Sequence, residues 1–234
     1  MTRVVLTVVF IFIFLRSYPQ SAAIADTPPM GWISWNLFEG NINETLVKEI
    51  ADAMVEEGLR DLGYQYIILD DLWQGGRDAD GKIFPDPDKF PSGMKALSDY
   101  IHSKGLKFGI YTDAAEWTCA GVTGSYGFEK EDAETYAEWG VDYIKCDYCN
   151  APEDIWSAVE RYGKFIEEVR RVNPETVFAL CEWGQRSPWL WGKEIGANLW
   201  RTTWDLRDTW EHGKYSSGHN GIMEALDRQV GLEK

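Results

Sequence analysis

The feature that most constrains the fold is an alternation of short apolar segments and longer amphipathic ones along nearly the whole chain. The short segments predict strands at 30–35, 64–70, 106–112, 141–146, 176–181 and 198–203. The amphipathic segments predict helices at 43–58, 94–104, 129–139, from Pro152 onward, and at 222–230, with a loop at 74–93. Strands separated by helices pair in parallel through right-handed crossovers, so the sequence predicts an α/β fold with a parallel sheet.

Acidic residues stand where five successive strands end. They are Asp70 and Asp71, Asp113, Asp147, Glu182 and Asp205. One acid after a strand is commonly a turn former or a helix cap, but five in succession indicate a shared site. In a (β/α)8 TIM barrel the strand ends open on one face, and the active site lies there. The barrel is favoured over a doubly wound sheet also because no glycine-rich phosphate loop follows the first strand.

Two basic residues accompany the acids. Lys145 stands two positions before Asp147 on one strand, so the two side chains point to the same side and the ammonium favours the ionised carboxyl. Arg201 precedes Asp205 by four positions. Carboxyl groups gathered in a cleft repel one another, and their pKa values separate. Glycoside hydrolysis needs such a split pair, in which one carboxylate attacks while a protonated one donates to the leaving oxygen.

A metal-dependent reaction is the alternative that the residues leave open. The acids could hold Mg²⁺, with Lys145 as a base that abstracts a proton. That interpretation gives no role to Trp32, Trp35 and Trp73, which lie near strand ends. The chain has 12 tryptophans, which indicate either a large aromatic core or an aromatic-lined pocket that packs against sugar faces.

Composition narrows the class of partner. The 234 residues include 38 acidic and 23 basic ones, for a formal charge of −15. Phosphate recognition needs a basic face, so the charge argues against a nucleic-acid or anionic-membrane partner. The oligomeric state stays open.

The N-terminus predicts a secretory signal peptide at residues 1–25. Arg3 precedes twelve apolar residues from Val4 to Leu15, and the small residues Ala23 and Ala25 suit a cleavage site. Twelve residues are too few to span a bilayer, which takes roughly 20. We therefore expect a secreted, periplasmic or lysosomal protein whose mature part is residues 26–234.

Four cysteines allow three disulfide pairings, among which the sequence alone does not choose. They are Cys119, Cys146, Cys149 and Cys181. The C-x-x-C spacing of 146–149 is also compatible with zinc or thiol redox chemistry, but a four-ligand zinc site would need a second cysteine pair at short spacing, and the three histidines are scattered. Asn43 begins a glycosylation sequon and equally suits a helix cap.

Six short motifs occur in order along the chain. They are PPMGWISWN at 28–36, LDDLW at 69–73, YTDA at 111–114, KCDYC at 145–149, CEWG at 181–184 and WRTTWD at 200–205. This series resembles the α-galactosidases of glycoside hydrolase family 27, the melibiase family, over nearly all of 27–234. The resemblance implies a TIM barrel and a retaining exo-enzyme that removes terminal α-linked galactose from oligosaccharides or glycoconjugates, with no metal or organic cofactor.

The resemblance also implies a role for each site residue. Asp147 would be the nucleophile and Asp205 the general acid/base. Asp70 and Asp71 would hold the galactose 4- and 6-hydroxyls, and Lys145 the 3- and 4-hydroxyls. The other implied residues are Trp35 and Tyr111 as pocket lining, Arg201 with Asp205 at the 2-hydroxyl, Cys119 paired with Cys149 at the pocket edge, and Glu182 as a determinant of galactose specificity.

Several positions depart from the family pattern. The family usually has cysteine where Leu72 stands, paired with one after the first strand; both are absent here. Trp204 stands where Gly, Pro or Ala is common, and we expect it to alter the aglycone side. Three related specificities stay open. They are β-L-arabinopyranosidase activity, against which the presence of Asp71 beside Asp70 argues, α-N-acetylgalactosaminidase activity, and release of isomaltose. Relatives that accept N-acetylgalactosamine carry a small residue where Glu182 stands.

The length predicts a partial catalytic barrel. A complete (β/α)8 barrel takes about 250 residues. We expect about six of eight βα units, without the C-terminal strands and the β-sandwich domain that the family carries. An inactive sugar-binding fragment is therefore the alternative to an active hydrolase.

Overall fold

The computed structural model describes residues 24–212 and 219–232. The predicted signal peptide, residues 1–25, lies outside the described residues except for its last two. The strands are β1 Met30–Ile33, β2 Tyr64–Ile68, β3 Gln74–Arg77, β4 Ile83–Pro85, β5 Lys107–Asp113, β6 Tyr143–Asp147, β7 Val177–Cys181, β8 Leu199–Trp200, β9 Asp205–Leu206 and β10 His219–Asn220. The helices are α1 Trp35–Phe38, α2 Glu44–Glu56, α3 Gly93–Ser103, α4 Glu129–Trp139, α5 Ile155–Val172 and α6 Ile222–Asp227, with 3-10 turns at Arg60–Leu62 and Pro188–Leu190.

Six strands form one parallel sheet in the order β1-β2-β5-β6-β7-β8. Helices lie in the connections from β1 through to β7, as in a βαβ series, whereas only the 3-10 turn Pro188–Leu190 lies between β7 and β8. This confirms the predicted parallel α/β fold, and the sheet is that of a partial (β/α)8 barrel. Two small sheets lie outside it: β3 with β4, and β9 with β10.

The two faces of the sheet are both apolar, as expected for parallel strands covered on each side. Phe108, Ile144 and Phe178 face the helices and join the main core with residues of α2 to α5. Tyr66, Tyr143 and Val177 face the inside of the curve and belong to a second, smaller cluster. The alternation along each strand therefore separates helix-facing from inward-facing residues.

Local sequence signals set the helix ends. The Asn43 side chain accepts a hydrogen bond from the backbone N–H of Leu46 at 2.9 Å, which confirms the predicted cap of α2. The helix predicted from Pro152 begins instead at Ile155, because Asp154 caps it by accepting from the Ser157 N–H at 2.9 Å. Among the described helices, none combines the length and apolar character needed to cross a membrane.

The predicted loop at 74–93 contains the hairpin of β3 and β4. The Asp78 carboxylate accepts hydrogen bonds from the backbone N–H groups of Asp80 and Lys82 and so closes a turn at Gly81, where φ is +82°. Arg77 then ties the hairpin to the body of the protein through a buried ion pair with Asp132 at 2.5 Å. Part of the predicted loop is therefore a short hairpin.

Candidate active site

The register of the sheet brings the acids together. Asp113 pairs with Asp147 across β5 and β6, and Asp147 pairs with Cys181 across β6 and β7. Asp70, Asp71, Asp113, Asp147 and Glu182 are all buried at the carboxyl ends of the strands. The predicted gathering of acids on one face is therefore confirmed.

Lys145 is held by one of these acids. Its Nζ lies 2.7 Å from Oδ2 of Asp70, and both side chains are largely buried. Burial lowers the pKa of the Lys145 ammonium, but the charge of Asp70 opposes it and the pKa is raised overall. A lysine that keeps its proton so firmly is unsuited to abstract one from a substrate.

Asp147 is an ionised carboxyl in a buried place. Its Oδ1 accepts a hydrogen bond from the Tyr148 N–H at 3.0 Å. Burial raises the pKa of Asp147 to about 6, and the charge of Lys145 together with the Tyr148 N–H opposes a further rise. The group is therefore negatively charged at neutral pH and has the form a nucleophile needs.

Asp113, the neighbour of Asp147, is protonated. Its Oδ2 accepts from the Cys149 N–H at 2.9 Å, while no described residue partners its buried Oδ1. Burial, followed by the negative charge of Asp147, raises the pKa of Asp113 to about 9. The sequence placed Asp113 among the acids without a role, and the structure makes it a neutral support for the Cys149 backbone.

Asp71 anchors the loop that follows β5. Its Oδ2 accepts from the Ala120 N–H at 2.9 Å and its Oδ1 from the Leu72 N–H at 2.8 Å. The next residue back in that loop, Cys119, forms a disulfide with Cys149, which is the pairing implied by the family resemblance. Cys146 and Cys181 are free and buried.

Arg201 and Asp205 stand at the open side of the site. Arg201 Nη1 lies 2.6 Å from Oδ1 of Asp205 and 3.6 Å from Sγ of Cys181. The Asp205 side chain is 55% exposed, in contrast to the buried Asp147. The two carboxyl groups proposed to act together therefore have different surroundings.

One cavity of about 330 Å³ collects most of the predicted site; we name it the active-site cavity. It is lined by Trp35, Asp70, Asp71, Tyr111, Cys119, Lys145, Asp147, Cys149, Trp183, Trp204 and Asp205. Arg201 lines an adjoining cavity of about 400 Å³, which does not reach Asp147. The two cavities share Trp35, Asp70, Lys145, Trp204 and Asp205. We take the smaller cavity as the site because both proposed catalytic acids line it.

Two residues differ from the sequence expectations. Glu182 is fully buried and lines neither cavity, because its Oε2 accepts from the Arg186 backbone N–H at 2.7 Å and pairs with the guanidinium at 3.4 Å. Trp183 does line the active-site cavity although it was given no role. Because Trp183 directly follows Glu182 in the CEWG motif, the sequence could have indicated that Trp183 lies at the site.

The metal alternative can be tested on the donor atoms. Among the described residues, one group brings acid and sulfur atoms within 4.8 Å of one another: Asp113, Cys119, Asp147 and Cys149. The two sulfurs are bonded to each other and offer no thiolate, and Asp113 holds a proton at neutral pH. Mg²⁺ prefers several oxygen ligands, so this donor set does not fit it.

The parallel sheet with acids at the carboxyl ends of its strands is the arrangement of a (β/α)8-barrel active-site face. The chain belongs to the family described as Alpha galactosidase A, which matches residues 27–218. It is 46% identical over 215 residues to "Alpha-galactosidase A" of Cellvibrio japonicus, covering 90% of this chain and 52% of the relative. It is 52% identical over 201 residues to "Alpha-galactosidase" of Coffea arabica, covering 83% of this chain and 52% of the relative.

A solved structure supports the same assignment. The α-galactosidase from Saccharomyces cerevisiae with raffinose superposes with a TM-score of 0.84 at 35% identity, covering 89% of this chain and 50% of that one. The chain thus spans about half the length of the curated relatives it matches.

Proposed function

We propose that the chain forms the catalytic part of a retaining exo-α-galactosidase, which releases terminal α-linked galactose from oligosaccharides or glycoconjugates. The observation that carries the proposal is that two carboxyl groups with different surroundings line the same cavity: the buried, ionised Asp147 and the exposed Asp205. Retaining hydrolysis needs one carboxylate to attack and a second carboxyl to donate and accept a proton.

The proposed reaction proceeds by double displacement. Asp147 attacks the anomeric carbon, and the bond to the leaving oxygen breaks as Asp205 gives that oxygen a proton. Asp205 then takes a proton from water, whose oxygen attacks the same carbon and restores the Asp147 carboxylate. Galactose leaves with its anomeric configuration retained.

The remaining lining residues would hold the sugar. The Asp70–Lys145 pair presents a carboxylate and an ammonium side by side, which suits neighbouring hydroxyls that both donate and accept. Asp71 stands beside them to receive the 6-hydroxymethyl group, which favours galactose over β-L-arabinopyranose. Arg201 with Asp205 would meet the 2-hydroxyl, while Trp35 and Tyr111 supply aromatic walls. Glu182 lines neither cavity and is held by Arg186, so the proposed sugar site does not include it.

Secretion is a further part of the proposal. The apolar run at 4–15, followed by small residues before Asp26, supports export and removal of residues 1–25. Edman sequencing of the protein recovered from its native compartment would give Asp26 as the first residue. Retention of Arg3 in the mature protein would contradict export by this route.

A covalent label tests the assigned chemistry. A galactoside with a 2-fluoro substituent and a good leaving group should trap the glycosyl-enzyme, and peptide mass spectrometry should place the label on Asp147. The Asp147→Asn chain should take no label, while Asp99→Asn, an exposed acid on α3, should be labelled like the wild type. A label on any other residue would overturn the assignment. Binding of galactose without release of 4-nitrophenol from its α-galactoside would favour a sugar-binding fragment instead.

A further inference from the structure

The ammonium group of Lys89 joins two loops at the carboxyl end of the sheet. Its Nζ donates to the carbonyl oxygen of Gly40 at 3.0 Å and to that of Leu72 at 2.7 Å. Gly40 follows α1, the short helix after β1, and Leu72 lies in the loop after β2. No other described group donates to either carbonyl. The hydrogen bonds that these two carbonyls make within the described part of the chain therefore depend on Lys89.

Both loops carry residues that line the active-site cavity. On one side, α1 begins at Trp35, whose carbonyl accepts a hydrogen bond from the Glu39 N–H at 2.9 Å. On the other side, the Leu72 N–H donates to Oδ1 of Asp71 at 2.8 Å, and the Asp71 N–H donates to Oδ1 of Asp70 at 2.8 Å. Each carbonyl that Lys89 binds is therefore linked through a short stretch of backbone to the aromatic wall or to the acids of the cavity.

The two loops are in close contact but have like partial charges facing the same point. Leu72 has φ of +72°, a left-handed conformation that is uncommon for a bulky residue. A Cβ on Gly40 would lie 2.5 Å from Cδ1 of Leu72, so the leucine side chain rests directly on the glycine. The two carbonyl oxygens converge on one nitrogen, and without it they would face each other unpaired. Loss of the ammonium should therefore favour separation of the loops.

The backbone of Lys89 is fixed independently of its side chain. Its carbonyl accepts from the Glu44 N–H at 2.9 Å, at the first residue of α2. Phe90, the next residue, is buried in the main core, and its N–H donates to the Asp86 carbonyl at 2.8 Å. The Asp86 N–H in turn donates to the Trp73 carbonyl at 2.8 Å. The lysine side chain thus extends from a well-anchored turn toward the two loops.

We propose that Lys89 is a positioning residue for sugar binding, whose ammonium sets the distance between the Trp35 wall and the 70–71 acids. The inference rests on the proposed function, from which the sugar site is taken. Lys89 lines neither the active-site cavity nor the adjoining one, so it acts through the backbone of the two loops. A binding site loses affinity when its walls shift by about 1 Å. Asp147 and Asp205 belong to β6 and β9, outside both loops, so the chemical step should depend little on Lys89.

Lys89→Met removes the ammonium and keeps an unbranched side chain. For 4-nitrophenyl α-galactoside, KM should rise by about tenfold while kcat changes by less than about twofold, because a displaced wall weakens binding of the substrate and of the transition state alike. Arg170→Met is the matched control. The Arg170 guanidinium donates to the carbonyls of Thr176 at 2.5 Å and Gly196 at 3.0 Å, at the amino end of β7. Its loss should lower the thermal midpoint and leave KM unchanged.

An engineered disulfide tests whether the link between the loops is what matters. A Cβ on Gly40 would lie 3.4 Å from Cβ of Leu72, close to the roughly 3.5–4.5 Å found in disulfides. Gly40→Cys and Leu72→Cys, added to Lys89→Met, should return KM to within about twofold of the wild type when oxidised. Reduction with dithiothreitol should raise KM again. The same cysteine pair with Lys89 retained corrects for reduction of the Cys119–Cys149 disulfide.

The outcomes distinguish the role of Lys89 from the activity itself. An unchanged KM in Lys89→Met, or a KM that stays raised in the oxidised triple variant, would overturn the positioning role and leave the α-galactosidase proposal intact. If Lys89→Met does not fold, Lys89→Gln, whose amide still donates, should fold and show a smaller rise in KM. If the wild-type chain releases no nitrophenol, the proposed function fails, and hydrogen exchange of the backbone amides at 70–72 decides. Faster exchange in the Lys89 variant supports the role, and equal exchange refutes it.

Discussion

Replacement of Asp113 by Asn should remove a pH-dependent loss of stability. The folded carboxyl has a pKa of about 9, against an ordinary value of 3.8. Between these two values the folded chain holds a proton at Asp113 that the unfolded chain has released. The unfolded state is therefore favoured as pH rises, and stability falls by about 1.4 kcal/mol per pH unit from this group.

The magnitude follows from the width of that interval. From pH 5 to pH 7 the wild type should lose about 3 kcal/mol through Asp113, and the Asn variant should lose none of it. The variant amide oxygen can accept from the Cys149 N–H, as Oδ2 of Asp113 does at 2.9 Å. Its amide nitrogen has no partner at the site of Oδ1, which adds a pH-independent cost of about 1–3 kcal/mol. The prediction therefore concerns how the free energy of unfolding changes with pH, not its absolute value.

Urea unfolding followed by tryptophan fluorescence at pH 5, 6, 7 and 8 measures the difference. The stability of Asp113→Asn relative to the wild type should rise steadily over this range. Asp80→Asn, at an exposed turn, removes the same formal charge and should give a difference that is flat with pH. Parallel curves for the wild type and Asp113→Asn would refute the reasoning that Asp113 is neutral in the folded chain.

Three further outcomes follow from the same geometry. Lys145→Met removes the cation that opposes protonation of Asp147, so the acidic limb of the pH profile for aryl galactoside hydrolysis should move to higher pH; an unmoved limb would contradict this coupling. Gly184→Ala would place its methyl group against the Thr202 carbonyl and should lower the thermal midpoint, measured by circular dichroism, by at least 5 °C. Gly121 is also at positive φ but has open space around it, so Gly121→Ala should lower the midpoint by less. Reduction of the disulfide, whose cysteines are 30 residues apart, should cost about 3–4 kcal/mol in urea unfolding, and an unchanged midpoint would show that it does not constrain the unfolded chain.

The positions of the main strands could be read from the sequence because each is a buried apolar segment between helices. The strand predicted at 141–146 is Tyr143–Asp147, and that at 176–181 is Val177–Cys181. The strand predicted at 198–203 is only Leu199–Trp200, because Arg201 turns to meet Asp205 and Cys181. Periodicity identifies an apolar segment, but its pairing partners decide how much of it becomes a strand.

Side-chain direction was harder to predict than position. Glu182 and Asp147 both follow the pattern of an acid at a strand end, yet only Asp147 reaches the active-site cavity. The Glu182 carboxylate is instead bound by Arg186, four residues later in the chain, through both its backbone N–H and its guanidinium group. Nothing in the spacing of the acids distinguishes these two outcomes, since the conformation of the loop after β7 decides between them.

The ionisation states of the acids depend on contacts between neighbouring strands. Asp113 and Asp147 are neighbours in register and both are buried; burial raises the pKa of each, and the charge of Asp147 raises that of Asp113 further. Lys145 lies on the strand of Asp147, two residues before it, and its charge keeps that carboxyl as the ionised member of the pair. Asp113 is therefore left to hold the proton. The i, i+2 spacing predicted the partner of Asp147, but the consequence for Asp113 required the register of β5 against β6, which local sequence does not encode.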